Sequence, residues 1–189
     1  MDSKIYFDNF KINKRLLSFT YDCLFIIMGV FLLAVSSRII IPLVFTPIPV
    51  TLQTFSVLVI SMLYGKKLSF ITIFSYLIIG ALGFPVFQNG NSGMVYLISG
   101  PTLGYNIGFL FSAYTIGVLA ENGYYNKTSY AALYYMLIGN LIIYIFGLTW
   151  LSKFIEIKKL LQCGFFPFII GDVFKIFLST LLVQKFYKK

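Results

Sequence analysis

Of 189 residues, 59% are hydrophobic and only 11% are charged, against roughly a quarter charged in an ordinary soluble domain. So few charges do not cover the surface of a water-soluble domain of this length. The mean hydropathy is +0.88, and the apolar residues fall in long blocks of the kind a lipid solvent demands. The formal net charge of +9 raises the question of nucleic acid, but the basic residues gather at the ends of apolar segments, where they set topology and touch anionic headgroups.

In chain order, the first 22 residues are mixed and polar, and the apolar run behind them is too long for a secretory signal. They read as a cytoplasmic amphipathic lead-in. Six apolar segments follow, roughly 23–41, 50–64, 68–83, 102–120, 130–150 and 165–184, to be measured against the 20 or so residues of a straight crossing. The second and third are short, and only Gly65, Lys66 and Lys67 separate them. A glycine stop with paired lysines predicts two short helices on a tight basic turn rather than one re-entrant element. The expected fold is therefore all-α, a six-helix membrane domain over 23–184 with a basic tail at 185–189.

Six crossings put both termini on one side. That side then holds Lys4, Lys11, Lys14, Arg15, Lys66, Lys67, Lys127, Lys185, Lys188 and Lys189, against Lys153, Lys158 and Lys159 opposite. The bias places both termini in the cytoplasm. The opposite loops carry the unusual chemistry. Three prolines in Pro42–Val50 block a continuous helix, and Phe84–Gly93, continuing to Ser99-Gly100-Pro101, offers turn-forming Asn and Gly with their amides. Both read as structured lids. Arg38, near the outward end of the first helix, is expected to snorkel to the rim or meet an acidic group.

Asp172 and Lys175 in the last segment are three apart and share a helix face. Charges in hydrocarbon are costly unless paired or turned to a polar cavity, so the two form a structural ion pair, a ligand contact or a pair at headgroup level with no special task. Gln53, Gln88, Asn89, Asn91, Asn106 and Asn140 add donors and acceptors, although a lone amide more often bridges helices. Tyr96, Tyr105, Tyr144 and Trp150 either wall a pocket or pack a core. Histidine is absent, which removes the usual general base and zinc ligand. Cys23 and Cys163 have no metal-ligand spacing, and no phosphate-binding Gly-rich loop precedes a Lys and Ser/Thr. No enzyme activity, metal or cofactor is expected, and ATP-driven transport would need another subunit.

Five ordered motifs carry a resemblance: Pro47-Ile-Pro-Val-Thr-Leu-Gln-Thr54, Gly80-Ala-Leu-Gly-Phe-Pro-Val-Phe87, Ser99-Gly-Pro-Thr-Leu-Gly-Tyr105 leading to Gly108-Phe109, Gly139-Asn-Leu-Ile-Ile-Tyr-Ile-Phe-Gly147, and Gly171-Asp-Val-Phe-Lys175. Over about 24–184 the chain resembles the BioY family, the biotin-binding membrane (S) components of energy-coupling factor transporters. The resemblance implies a six-helix subunit that captures biotin from outside and associates with a transmembrane coupling protein and two ATP-binding subunits, toppling in the membrane to carry ligand inward. It implies ligand contacts from a loop asparagine, here Asn89 or Asn91, and from Asp172 and Lys175; Gln53, Tyr96 and Tyr144 complete the expected site. The family's first helix often carries small residues four apart for docking on the coupling protein, whereas Gly29 and Ala34 are five apart, leaving Ala34 as the docking surface. The readings set against this one are an S component for another vitamin, a membrane-embedded transferase or protease, and a non-catalytic membrane assembly protein. The second of these lacks an assembled nucleophile, base or metal set.

Overall fold

The computed structural model describes the backbone of residues 3–122 and 129–187 and the side chains of 19–122 and 130–186. Lys127, Lys188 and Lys189 and the lead-in side chains Lys4, Lys11, Lys14 and Arg15 lie outside the described residues. The helices are α1 (Ser3–Ser36), α2 (Gln53–Ala81), α3 (Met94–Ser99), α4 (Leu103–Glu121), α5 (Ser129–Leu151), α6 (Ile157–Gly164) and α7 (Phe166–Tyr187). Five stretches are long and apolar enough to cross a membrane: one within α1, then α2, α4, α5 and the stretch that ends in α7. Helix α1 runs through residue 22 without a break.

Helix α2 is two helices. Gly65 has φ 72° and ψ 178°, a conformation essentially reserved for glycine. Gln53 Nε2 donates to Tyr76 Oη at 2.9 Å, although a straight helix would hold these residues about 35 Å apart. The chain therefore reverses at Gly65, giving arms 53–64 and 66–81 on the tight basic turn that the spacing predicts, and six apolar arms in all. Helix α4 packs directly on this turn: a Cβ at Gly117 would lie 2.3 Å from Lys66 N. Glu121 closes it, accepting the Lys66 N–H at 2.9 Å and pairing with Lys66 Nζ at 3.1 Å.

The arms rise only about 18 and 24 Å, short of the ~30 Å hydrocarbon core. Irregular backbone adjoins the far end of each arm; within the hydrocarbon, lipid tolerates such backbone only where it is buried in protein or lines a cavity. Two short strands, β1 (Ile40–Ile41) and β2 (Val50–Thr51), pair antiparallel with Ile40 opposite Thr51 and pinch off the proline-rich loop. Thr46 Oγ1 ties that loop to the Cys163 carbonyl at 2.7 Å. The second loop turns through Gln88–Gly90, with Asn89 at φ 57°, and then forms α3. Ser37 Oγ lies 2.7 Å from the Val86 carbonyl, to which Tyr76 Oη also donates at 3.0 Å. Arg38 pairs with no acid among the described residues; it is exposed at the end of α1, and its guanidinium donates to the Pro85 carbonyl of the loop. The two loops are thus ordered elements held to the helix ends.

The core runs along the inner faces of α1, α2, α4 and α5, with Leu33, Val57, Ile60, Ile73, Tyr76, Ala113 and Ile143 almost fully buried. Phe31, Phe74, Phe111, Leu141 and Phe174 point outward, an apolar girdle that suits contact with lipid.

Candidate functional site

Asp172 and Lys175 are both buried, at 5% and 8% exposure, and Lys175 Nζ sits 3.0 Å from Asp172 Oδ1. Lys175 Nζ also donates to Thr54 Oγ1 at 2.9 Å, and Thr54 Oγ1 stands 3.5 Å from Asp172 Oδ1. The other carboxylate oxygen, Oδ2, accepts from Tyr144 Oη and, at 3.3 Å, from Asn140 Nδ2. Donors from the first arm of α2, from α5 and from α7 thus converge on one carboxylate. A buried ion pair offsets its desolvation only with such additional hydrogen bonds. The i, i+3 spacing keeps both charges on one helical face, and Gly139, Gly147 and Gly108 let α4 and α5 approach closely enough to bring Asn140 and Tyr144 onto it.

This network forms one wall of a partly open cavity between the helices. Ile48, Pro49, Phe109, Ile143 and Phe168 supply apolar wall, and Tyr105 and Tyr144 supply aromatic faces. Polar groups come from Thr51, Gln53, Thr54, Gln88, Thr102 and Asn106. A side chamber of about 200 Å³ continues from Gln53, Gln88, Thr102 and Asn106 to Tyr76, Phe87 and Tyr96. The proline-rich loop contributes Ile48 and Pro49 and the second loop Gln88, so both lids take part in the wall.

The expected site residues are therefore distributed unevenly. Gln53, Tyr144, Asp172 and Lys175 line the main cavity, and Tyr96 lines the side chamber. Asn89 is exposed, and Asn91 turns its amide back onto the Gln88 carbonyl at 2.9 Å; neither lines the cavity. Gln88 is the loop amide that does, because the left-handed turn at Asn89 and Gly90 directs the chain away after it. Among residues that sequence reasoning did not single out, Thr54 and Thr102 also line the cavity. Both had a signal: Thr54 stands one residue after Gln53, and Thr102 lies in the Ser99–Tyr105 motif. Trp150 stays outside, donating Nε1–H to the Gly100 carbonyl at 3.0 Å.

The Thr54 and Tyr144 hydroxyls and the Lys175 ammonium in this cavity are all engaged with the Asp172 carboxylate. The cavity walls combine apolar and aromatic surface with a few fixed donors and acceptors around one carboxylate, which suits reversible, non-covalent capture of a compact molecule that has both N–H or O–H donors and an apolar body. The fold and site define a multi-pass membrane protein with a small-molecule binding cavity between its helices.

The chain belongs to the BioY family, whose model matches residues 8–189. It is 37% identical over 164 residues to the biotin transporter BioY of Thermotoga maritima, covering 85% of this chain and 93% of that one. It is 34% identical over 139 residues to the probable biotin transporter BioY of Pyrococcus horikoshii, covering 74% and 80%. The fold is similar to the crystal structure at 2.1 Å of the S-component for biotin from an ECF-type ABC transporter, with a TM-score of 0.80, 25% sequence identity and 94% of each chain covered.

Proposed function

We infer that this chain takes up biotin as the S-component of an ECF-type ABC transporter. The observation that carries the reading is the Asp172 carboxylate, held by donors from three helices at the wall of a partly open cavity, in a chain of the BioY family. Biotin offers a ureido ring with two N–H donors and one carbonyl acceptor, an apolar thioether ring and an anionic tail. Asp172 accepts a ureido N–H, and Tyr105, Tyr144, Phe109 and Phe168 cover the rings. Gln53, Gln88 and Asn106 serve the remaining polar edge, with Tyr96 behind them.

Lys175 holds Asp172 in place rather than anchoring the tail. Its ammonium is already committed to Asp172 and Thr54 at 3.0 and 2.9 Å, which supports that duty. Asn89 and Asn91 act through the loop turn that sets Gln88 in the wall.

The chain does no chemistry on its ligand, so inward release depends on partners: a transmembrane coupling protein and two ATP-binding subunits. Both termini lie in the cytoplasm and the cavity mouth opens outside, with 1–22 as lead-in, 23–184 as the biotin-binding domain and 185–189 as the basic tail. Gly29 packs on α2, where a Cβ would come 2.5 Å from Thr72 Cγ2, so it is not part of a docking pair. Ala34 instead opens onto an apolar groove with Ile26, Val30, Ser75 and Ile79, which is the surface for the coupling protein. Labelled-biotin uptake in a host that lacks its own carrier tests the reading: uptake requires this chain together with the ATP-binding subunits. Full uptake without those subunits contradicts it.

A further inference from the structure

Away from the cavity, α4 and α5 enclose a second, outward-facing groove of about 510 Å³, lined by Gly104, Ile107, Ile145, Phe146, Thr149 and Trp150 and ended by Lys153. The groove exists because the two helices touch at its head: a Cβ at Gly104 would lie 2.3 Å from Trp150 Cβ and 2.4 Å from the Phe146 carbonyl. Its wall is apolar, since the one hydroxyl, on Thr149, is turned back onto the Ile145 carbonyl at 2.7 Å.

The head of the groove is cationic. Lys153 Nζ stands 4.0 Å from the centroid of the Trp150 ring, an attraction that keeps the ammonium at the groove instead of in bulk water. Among the described residues Lys153 makes no ion pair, and the nearby acid Glu156 is engaged with Lys159 at 3.6 Å. Trp150 donates to the Gly100 carbonyl, two residues before the cavity-lining Thr102, which places this end of the groove at the level of the cavity mouth. An apolar channel along lipid-facing helices, ended at the interface by a lysine without a counter-ion, complements an acyl chain carrying an anionic headgroup.

We propose that this groove binds an anionic phospholipid of the mouth-side leaflet, with one acyl chain along Ile107, Ile145 and Phe146 and the headgroup phosphate on Lys153. Occupancy braces Trp150 against Gly100 and so steadies the segment that enters the binding cavity.

The chain has one tryptophan, so Trp150 fluorescence reports the site directly. The full chain is reconstituted in mixed phosphatidylcholine and phosphatidylglycerol, with bromine on the acyl chains of one lipid or the other at equal mole fraction. Brominated phosphatidylglycerol is expected to quench Trp150 at least twofold more than brominated phosphatidylcholine. The preference should disappear in Lys153→Gln and persist in Lys153→Arg and in Lys158→Gln, whose charge lies outside the groove and which leaves the Glu156–Lys159 pair intact. Equal quenching by the two lipids in the unaltered chain, or a preference that survives Lys153→Gln, overturns the proposal. Loss of the preference only in the Lys158 variant also overturns it, since a general surface charge would then be responsible.

Discussion

Replacing Lys175 by Met separates the structural duty of the buried charge pair from its part in binding. The substitution takes away the cation 3.0 Å from Asp172 Oδ1 but leaves Tyr144 and Asn140 on Oδ2. Breaking one half of a buried pair costs about 3–5 kcal/mol, and with two donors remaining the loss should fall near the lower figure. Asp172→Asn is the harsher change, because it leaves a buried ammonium facing only neutral acceptors, Thr54 Oγ1 at 2.9 Å and the new amide oxygen; its cost should approach about 5 kcal/mol. The double variant Asp172→Asn/Lys175→Met removes both charges and keeps the shape. It should be at least about 2 kcal/mol more stable than Asp172→Asn alone, because replacing both charges is often neutral. Unfolding in detergent measures all three, and biotin binding is measured on the same samples. The double variant is expected to fold and not to bind. Additive costs, with the double variant losing the sum of the two single effects, would refute the coupling on which the site is built.

Other substitutions probe separate parts of the framework. Gly65→Ala puts a side chain at φ 72° and its Cβ 2.6 Å from Glu121 Oε1; a loss of about 1–3 kcal/mol should lower the melting temperature in detergent, and an unchanged melt would contradict the reversal at Gly65. Tyr76→Phe strips the buried partner of Gln53 and of the Val86 carbonyl, at about 1–3 kcal/mol; protease accessibility of residues 84–93 should rise, and no rise would mean that the loop is held otherwise. Gln53→Leu removes an amide from both chambers, and a loss of about 1–3 kcal/mol corresponds to roughly a 5- to 150-fold weaker Kd for biotin; equilibrium binding with an unchanged Kd would remove Gln53 from the contact set. Biotin at about 100 times its Kd should stabilise the unaltered chain by about 2.7 kcal/mol, visible as a higher melting temperature, and should leave the double charge variant unmoved.

The membrane fold was legible because lipid leaves few alternatives: apolar blocks must be helices, and a glycine with two lysines between two short blocks must be a turn. The Asp172 and Lys175 face was legible for the same reason, since i, i+3 charges in an apolar segment need each other. The short helices were not. Helix α6 holds Lys158 and Lys159 and stands on the surface, and α3 has six residues, too few for a periodic signal. Which loop amide faces the cavity was not legible. Three amides follow Phe87 within five residues, and which one enters the wall is set by the positive φ at Asn89 and Gly90, a tertiary choice that composition does not encode. Thr54 was easily passed over because a threonine in an apolar helix ordinarily bonds its own backbone, as Thr149 does, and Thr102 stands in the turn just before α4.

The most direct measurement is equilibrium binding of labelled biotin to the detergent-purified chain, with unlabelled biotin, riboflavin and thiamine as competitors and Asp172→Asn alongside. Saturable binding displaced by biotin alone, and lost in the variant, is the expected result. Displacement by another vitamin, or biotin binding that survives in a folded Asp172→Asn protein, would contradict the assignment of this cavity to biotin.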